Sequence, residues 1–222
     1  MVKKLVIFDF DGVIYDSELL HLKAFNHALA TIRKEITRDI YYKDYCSFDD
    51  EGVFTTFLKN EDIEFNPDYI NKLIFAKHDY FDKNHESETN IYPGVMELIE
   101  KLSKRYILGI GSGARREEIL RILNREHILS KFETIVSSDE TTYPKPNPET
   151  YMQVLDRINE TYQIKAEESV VIEDTPKGII AAKDSGMKSI GITNAVDSSQ
   201  LSDADKVVND YIEIDEELIN SL

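Results

Sequence analysis

A chain of 222 residues with 41% hydrophobic composition is long for one average domain and short for two, which suits a packed core carrying an inserted module. Its 42 acidic against 26 basic residues give a net charge of −16, a field that repels phosphate backbones and anionic bilayers and so argues against nucleic-acid and membrane partners. The single Cys46 excludes an internal disulfide framework and suits a reducing cytoplasm. No apolar run reaches membrane-span length, and the segment leading into the first strand is too brief for a secretory leader.

Residues 4–10 read as a fully buried strand that ends in Asp9-Phe10-Asp11-Gly12. Leu22, Phe25, Leu29 and Ile32, extended by Leu19, then mark one face of a helix. The stretch from Tyr45 to Gly52 is polar and acidic and reads as a loop. Asn66-Pro67 is a helix start, and Ile70, Leu73, Ile74, Lys77 and Phe81 form the face that follows it. Residues 16–88 are thus expected to be all helical.

After Tyr92-Pro93-Gly94 the rhythm changes. A helix bearing Val95, Leu98, Ile99 and Leu102 precedes a strand, Tyr106 to Ile110, that ends in Gly111-Ser112-Gly113. A helix with Ile119, Ile122 and Leu123 leads to the strand Thr134–Val136. Asn147-Pro148 caps a helix carrying Tyr151, Val154, Leu155 and Ile158, and Val170–Ile172 is a strand ending in Glu173-Asp174. Ser189–Ile192 and Lys206–Val208 supply two more strands. Alternating strands and helices imply βαβ crossovers, hence an α/β fold with a Rossmann-like parallel sheet. One strand, a helical insertion and then the rest of the sheet predict a core of 1–15 and 89–222 split by a cap of 16–88.

In an open parallel sheet, ligands sit at the carboxyl ends of the strands. Three predicted strands end there in polar groups that no core needs: Asp9 and Asp11, Ser112, and Glu173 with Asp174. Asp9 and Asp11, two apart, aim at one point as the strand opens out. Keeping both ionised needs a cation or a shared proton, and a hard divalent ion such as Mg²⁺ would bring a phosphate with it. A separate loop holds Lys145 between Pro144 and Pro146, whose rings restrict the neighbouring backbone. Four carboxylates and a phosphate monoester of about −2 face only +3 from Mg²⁺ and Lys145, so neither cation is dispensable. Each residue has a plainer alternative. Asp9-x-Asp11-Gly12 and Ser112 fit solvated turns, Lys145 a loop lysine and Glu173-Asp174 an acidic helix N-terminus.

Taken in order, these motifs resemble those of the haloacid dehalogenase-like superfamily with a helical cap inserted after the first motif. Asp9-Phe10-Asp11-Gly12-Val13, Ser112, Lys145-Pro146-Asn147-Pro148 and Glu173-Asp174-Thr175-Pro176 carry the resemblance, which spans nearly the whole chain. It implies that Asp9 attacks phosphorus to form an aspartyl-phosphate, while Asp11 serves as general acid and then base. It further implies that Ser112 and the N–H of Gly113 bind phosphoryl oxygens and that Lys145 balances charge. Mg²⁺ would be held by Asp9, the carbonyl of Asp11, Asp174 and, directly or through water, Glu173.

Dehalogenases and phosphonatases of the superfamily lack the second aspartate, so Asp11 favours phosphate-ester chemistry. The expected activity is a phosphatase acting on a small phosphorylated metabolite such as a sugar phosphate. A β-phosphoglucomutase-like enzyme is the runner-up and a non-catalytic phosphate-binding regulatory protein the alternative of another class. Mutase relatives place an arginine in the cap loop, whereas Cys46–Gly52 carries three acids and no arginine. Lys77, Arg115 and Arg116 would compensate only in part, so hydrolysis ranks first, with a neutral leaving group favoured. A monomer or weak dimer is expected.

Overall fold

The computed structural model describes residues 5–46, 48–88 and 90–222. Met1–Lys4, Ser47 and Thr89 lie outside the described residues. Lys4 opens the predicted first strand, Ser47 falls in the acidic loop and Thr89 heads the second predicted core segment. The chain divides into two compact units, Met1–Tyr15 with Ile91–Leu222, and Asp16–Asn90.

The first unit is built on a six-stranded sheet. Its strands are β1 (Leu5–Phe8), β4 (Ile107–Gly111), β5 (Thr134–Val136), β6 (Ser169–Glu173), β7 (Lys188–Ile192) and β8 (Lys206–Val208), in the spatial order β5-β4-β1-β6-β7-β8. Every neighbouring pair is parallel, with Leu5 opposite both Ile107 and Ser169. In a separate two-stranded sheet, β2 (Tyr15–Asp16) pairs with β3 (Asn90–Ile91), at the two points of the sequence where the division into units falls. The parallel sheet bears out the α/β reading.

Alternate strand residues face opposite ways, and both faces are covered. Val6, Phe8, Leu108, Ile110, Val170, Ile172, Ile190 and Ile192 pack on one side in a core shared with α5 (Val95–Leu102), α6 (Arg116–Arg125) and α9 (Glu216–Ser221). Leu5, Ile7, Ile107, Val136 and Val171 face α7 (Glu149–Asn159) and α8 (Pro176–Asp184) on the other. All four β1 side chains are fully buried, which is why the strand reads as an unbroken apolar run. Regular pairing stops at Phe8, short of the expected residue 10, although Asp9 N–H still donates to the Ile172 carbonyl at 3.0 Å. The chain then turns: Phe10 O accepts from Val13, Ile14 and Tyr15. Since β4 lies on one side of β1 and β6 on the other, the sheet reverses its winding at β1, and the carboxyl end of such a strand is where open parallel sheets place their ligands.

The second unit is helical, with α1 (Glu18–Leu29), the short turn α2 (Arg38–Ile40), α3 (Asp50–Asn60) and α4 (Pro67–Glu88). Leu22, Phe25 and Leu29 are buried as expected, with Ile32 at the margin. Leu19 is 39% exposed, and the buried arc widens instead through Leu20 and Ala24, which pack on Phe81 of α4. Asn66 caps α4, its Oδ1 accepting from Tyr69 N–H at 2.9 Å.

The expected loop at 45–52 is shorter than the sequence suggested. A π turn runs over Tyr41–Tyr45, Asp49 is the N-cap of α3 with Oδ1 accepting from Gly52 N–H at 2.8 Å, and Asp50 and Glu51 form that helix's first turn. The acids therefore have a local reason to be there, since carboxylates are favoured at a helix N-terminus. No helix among the described residues is long and apolar enough to cross a membrane.

Candidate active site

The carboxyl ends of β1, β4 and β6 bring Asp9, Gly111-Ser112 and Glu173-Asp174 to one rim, and the loop before α7 delivers Lys145 to the same place. Lys145 Nζ lies 2.9 Å from Asp9 Oδ1, 2.7 Å from Glu173 Oε1 and 3.1 Å from the Gly111 carbonyl. The ammonium thus donates hydrogen bonds to Glu173 and the Gly111 carbonyl and is ion-paired with Asp9. The loop is itself held, because the Glu149 carboxylate accepts from the backbone N–H groups of Thr142 and Tyr143 at 2.8–3.1 Å. Asn147 caps α7 through Glu149 N–H, with Pro148 at the N-cap rather than inside the helix. The solvated-lysine alternative fails: the Lys145 side chain is 12% exposed.

Glu173, the last residue of β6, is completely buried, and its oxygens are saturated. Oε1 accepts from Lys145 and from the Tyr151 hydroxyl at 2.7 Å; Oε2 accepts from Asp174 N–H, Thr175 N–H and Thr175 Oγ1 at 2.9–3.0 Å. Thr175 also caps α8, accepting from Gly178 N–H at 3.1 Å. Gly178 is obligatory, since a Cβ there would fall 1.7 Å from Glu173 Oε1. Glu173 is therefore no solvated helix-end acid. Burial pushes its carboxyl up, but Lys145 and the other donors outweigh that and hold it below the usual carboxylate range.

Asp9 differs. Its Oδ1 meets Lys145 as an ion pair without a well-directed hydrogen bond, and burial pushes its pKa up to about 6 against the pull of that lysine. Burial also opposes the Lys145 ammonium, but Asp9 and Glu173 outweigh it and raise the lysine above its ordinary value.

The oxygens of Asp9, Glu173 and Asp174 converge within 4.8 Å of one another. Three buried carboxylates converge beside the Lys145 ammonium, and such a set of hard oxygen donors fits a hard divalent cation. The backbone is shaped around these donors: Gly12, at φ +76°, is where a Cβ would fall 1.8 Å from Asp174 Oδ2. The site therefore fits a hard divalent metal ion. Asp11 sits half-buried at the start of the turn through Gly12, outside this converging trio.

Ser112 is buried beyond the end of β4. Its backbone N–H bonds to Val136 O at 2.9 Å, and its Oγ accepts from Ala114 N–H at 3.0 Å, which leaves the hydroxyl proton to donate. Gly113 follows it, exposed and uncrowded.

The family model of haloacid dehalogenase-like hydrolases matches residues 6–192, a span that contains every one of these groups. The chain belongs to that family. Among relatives of this hydrolase, a phosphorylated carbohydrates phosphatase of Thermotoga maritima is 29% identical over 204 residues, 88% of each chain. Among solved structures, CbbY from Rhodobacter sphaeroides in complex with phosphate superposes with a TM-score of 0.79 at 22% identity, covering all of both chains. A β-phosphoglucomutase from Clostridium difficile does so at 0.76 and 22%, covering 100% of this chain and 96% of that one. At that identity these two establish the fold.

In the helical unit of the hydrolase, His21 stacks on Phe81 at 4.4 Å, and burial, reinforced by Lys77, drives its pKa down to about 3, so it is neutral. Lys77 is buried and paired with Asp50 at 2.9 Å, and Asp50 also meets His78 Nε2 at 2.6 Å. The cluster of acids read from 49–51 is therefore partly neutralised. Arg116 is committed elsewhere, to Glu140 and the Ile135 carbonyl.

Sequence reading missed the site roles of Tyr151, Thr175 and Gly178. Tyr151 was legible only as part of an apolar helix face; its hydroxyl there was the one available signal. Thr175-Pro176-x-Gly178 spells a helix start, but nothing in it announces the bond to Glu173.

Proposed function

We propose that this hydrolase is a Mg²⁺-dependent phosphatase of small phosphorylated metabolites, working through an aspartyl-phosphate on Asp9. The observation that carries the reading is Asp9 at the carboxyl edge of the sheet, ion-paired to Lys145, with Ser112 and Asp174 at the same rim. Asp9 attacks phosphorus as the bond to the leaving oxygen breaks, and Asp11 gives that oxygen its proton. Water then attacks the aspartyl-phosphate, Asp11 takes its proton, and inorganic phosphate leaves. The Ser112 hydroxyl and the Gly113 N–H donate to phosphoryl oxygens, and Lys145 keeps Asp9 anionic.

Asp9, the Asp11 carbonyl and Asp174 are the residues to hold Mg²⁺, with Glu173, already saturated, reaching it through water. Once bound, the ion offsets the negative charge of the phosphoryl group. The helical unit is assigned as the cap that selects the leaving group. The relative that acts on phosphorylated carbohydrates supports a sugar phosphate as substrate, and the lone Cys46 a cytoplasmic setting.

Hydrolysis ranks above mutase chemistry because residues 45–52 contain no arginine for a second phosphate and Lys77 is already matched by Asp50. Assay of a chromogenic monoester with and without Mg²⁺ tests the reading. Activity is expected only with the ion and is expected to fall by ~10³-fold or more in Asp9→Asn. Metal-independent turnover, or an active Asp9→Asn free of deamidation, would falsify it. Sugar monophosphates are expected to turn over about tenfold faster than bisphosphates, one multiple of 1.4 kcal/mol; a bisphosphate preference restores the mutase.

A further inference from the structure

We infer that Tyr151 is a positioning residue that aims Lys145 at Asp9, through its hydroxyl on Glu173 and its ring face beneath the ammonium. This rests on the role given above to Lys145. The ring is fully buried and touches three parts of the site. Its hydroxyl donates to Glu173 Oε1 at 2.7 Å, the same oxygen that receives Lys145 at 2.7 Å. Its centroid lies 4.6 Å from Lys145 Nζ. Its edge lies against the end of β4, where a Cβ on Gly111 would approach Cδ1 to 3.0 Å.

A plain core filler at this position would be apolar, because a buried hydroxyl costs free energy unless it is bonded. Here the bond goes to a residue that cannot move. Glu173 is held on its other oxygen by Asp174 and Thr175, so the hydroxyl fixes Oε1 and Oε1 fixes the lysine. The electron-rich ring face then closes the side of the ammonium not covered by oxygen and keeps water from it. Tyr151 touches no reacting atom; it acts through Lys145.

Two substitutions separate these contributions. Tyr151→Phe keeps the ring and removes the hydroxyl; Tyr151→Leu removes both. With lysine labelled at 15N, the buried Lys145 ammonium is expected to give a slowly exchanging signal, assigned by its loss in Lys145→Arg. That signal should persist but shift in Tyr151→Phe and vanish by exchange with water in Tyr151→Leu. In the same order kcat should fall, about fivefold and then on the order of 50-fold, with KM within about twofold.

An unchanged Lys145 signal in Tyr151→Leu overturns the proposal whatever the activity. If that variant does not fold, Tyr151→Phe decides alone, and a wild-type signal with wild-type kcat refutes it. The ammonium signal needs no turnover, so a wild-type protein inactive on every phosphate ester would sink the proposed function and leave this test standing.

Discussion

Each unit of this protein holds a lysine against an aromatic face and carboxylates, and the two are balanced differently. In the helical unit Lys77 lies 5.1 Å from the Phe25 centroid and 5.4 Å from that of Phe81, and it pairs with Asp50, a carboxylate it shares with His78. Burial pushes the Asp50 carboxyl up, but Lys77 outweighs that and holds it below its ordinary value. Charge there closes on itself. In the sheet unit Lys145 faces two carboxylates, Asp9 and Glu173, and Asp9 keeps a raised pKa chiefly because it is buried, with Glu173 adding to the rise against the pull of Lys145. A buried cluster that balances is a structural element. One richer in carboxylates than in cations is suited to a cation, and an excess of this kind is a physical mark of a candidate site.

Replacing each lysine by methionine is the most direct way to break this contrast. Lys145→Met leaves Glu173 and Asp9 buried without their counter-charge, and is expected to destabilise the protein by about 3–5 kcal/mol and to lower kcat by ~10²-fold or more. Urea unfolding and steady-state rates measure both. Lys77→Met should cost only about 1 kcal/mol, because Asp50 is part-exposed and keeps His78. Equal losses of stability would remove the distinction between a balanced and an unbalanced cluster.

The smallest expected effect concerns Glu18, which accepts from the Tyr41 hydroxyl at 2.9 Å and whose pKa burial, reinforced by Asp16, raises to about 7. A carboxyl that holds its proton more tightly folded than unfolded contributes stability that is full below about pH 4.5 and is lost as pH rises through 7. Glu18→Gln should therefore match the wild type at pH 4.5 and exceed its Tm by a margin that grows as pH rises to 8.5. A Tm difference that does not grow with pH would contradict the raised pKa.

Much of this was legible before any coordinates, for a physical reason. β1, β4 and β6 are covered on both faces, so they read as short apolar runs, and a polar residue at the end of such a run is conspicuous. That is how Asp9, Ser112 and Glu173 declared themselves. Lys145 was legible through its flanking prolines. What could not be read were bonds that depend on tertiary distance: the saturation of Glu173, and the ring of Tyr151 beneath a lysine six residues earlier. Helix boundaries failed where two local signals competed, as at Asp49–Glu51, whose polarity suggests a loop and whose spacing to Gly52 makes a cap. Leu19 failed because periodicity fixes a helix face only to within one neighbour.

The place of β1 in the sheet has a consequence for biosynthesis. Its partners begin at Ile107 and Ser169, so this wholly apolar strand is translated about 100 residues before its first neighbour and stays unpaired on one side until the chain has passed Ser169. Until both flanks have emerged it is an open edge, while the helical segment that follows needs only near neighbours to assemble. Nascent chains stalled before residue 169 should therefore be those that chaperones bind most tightly.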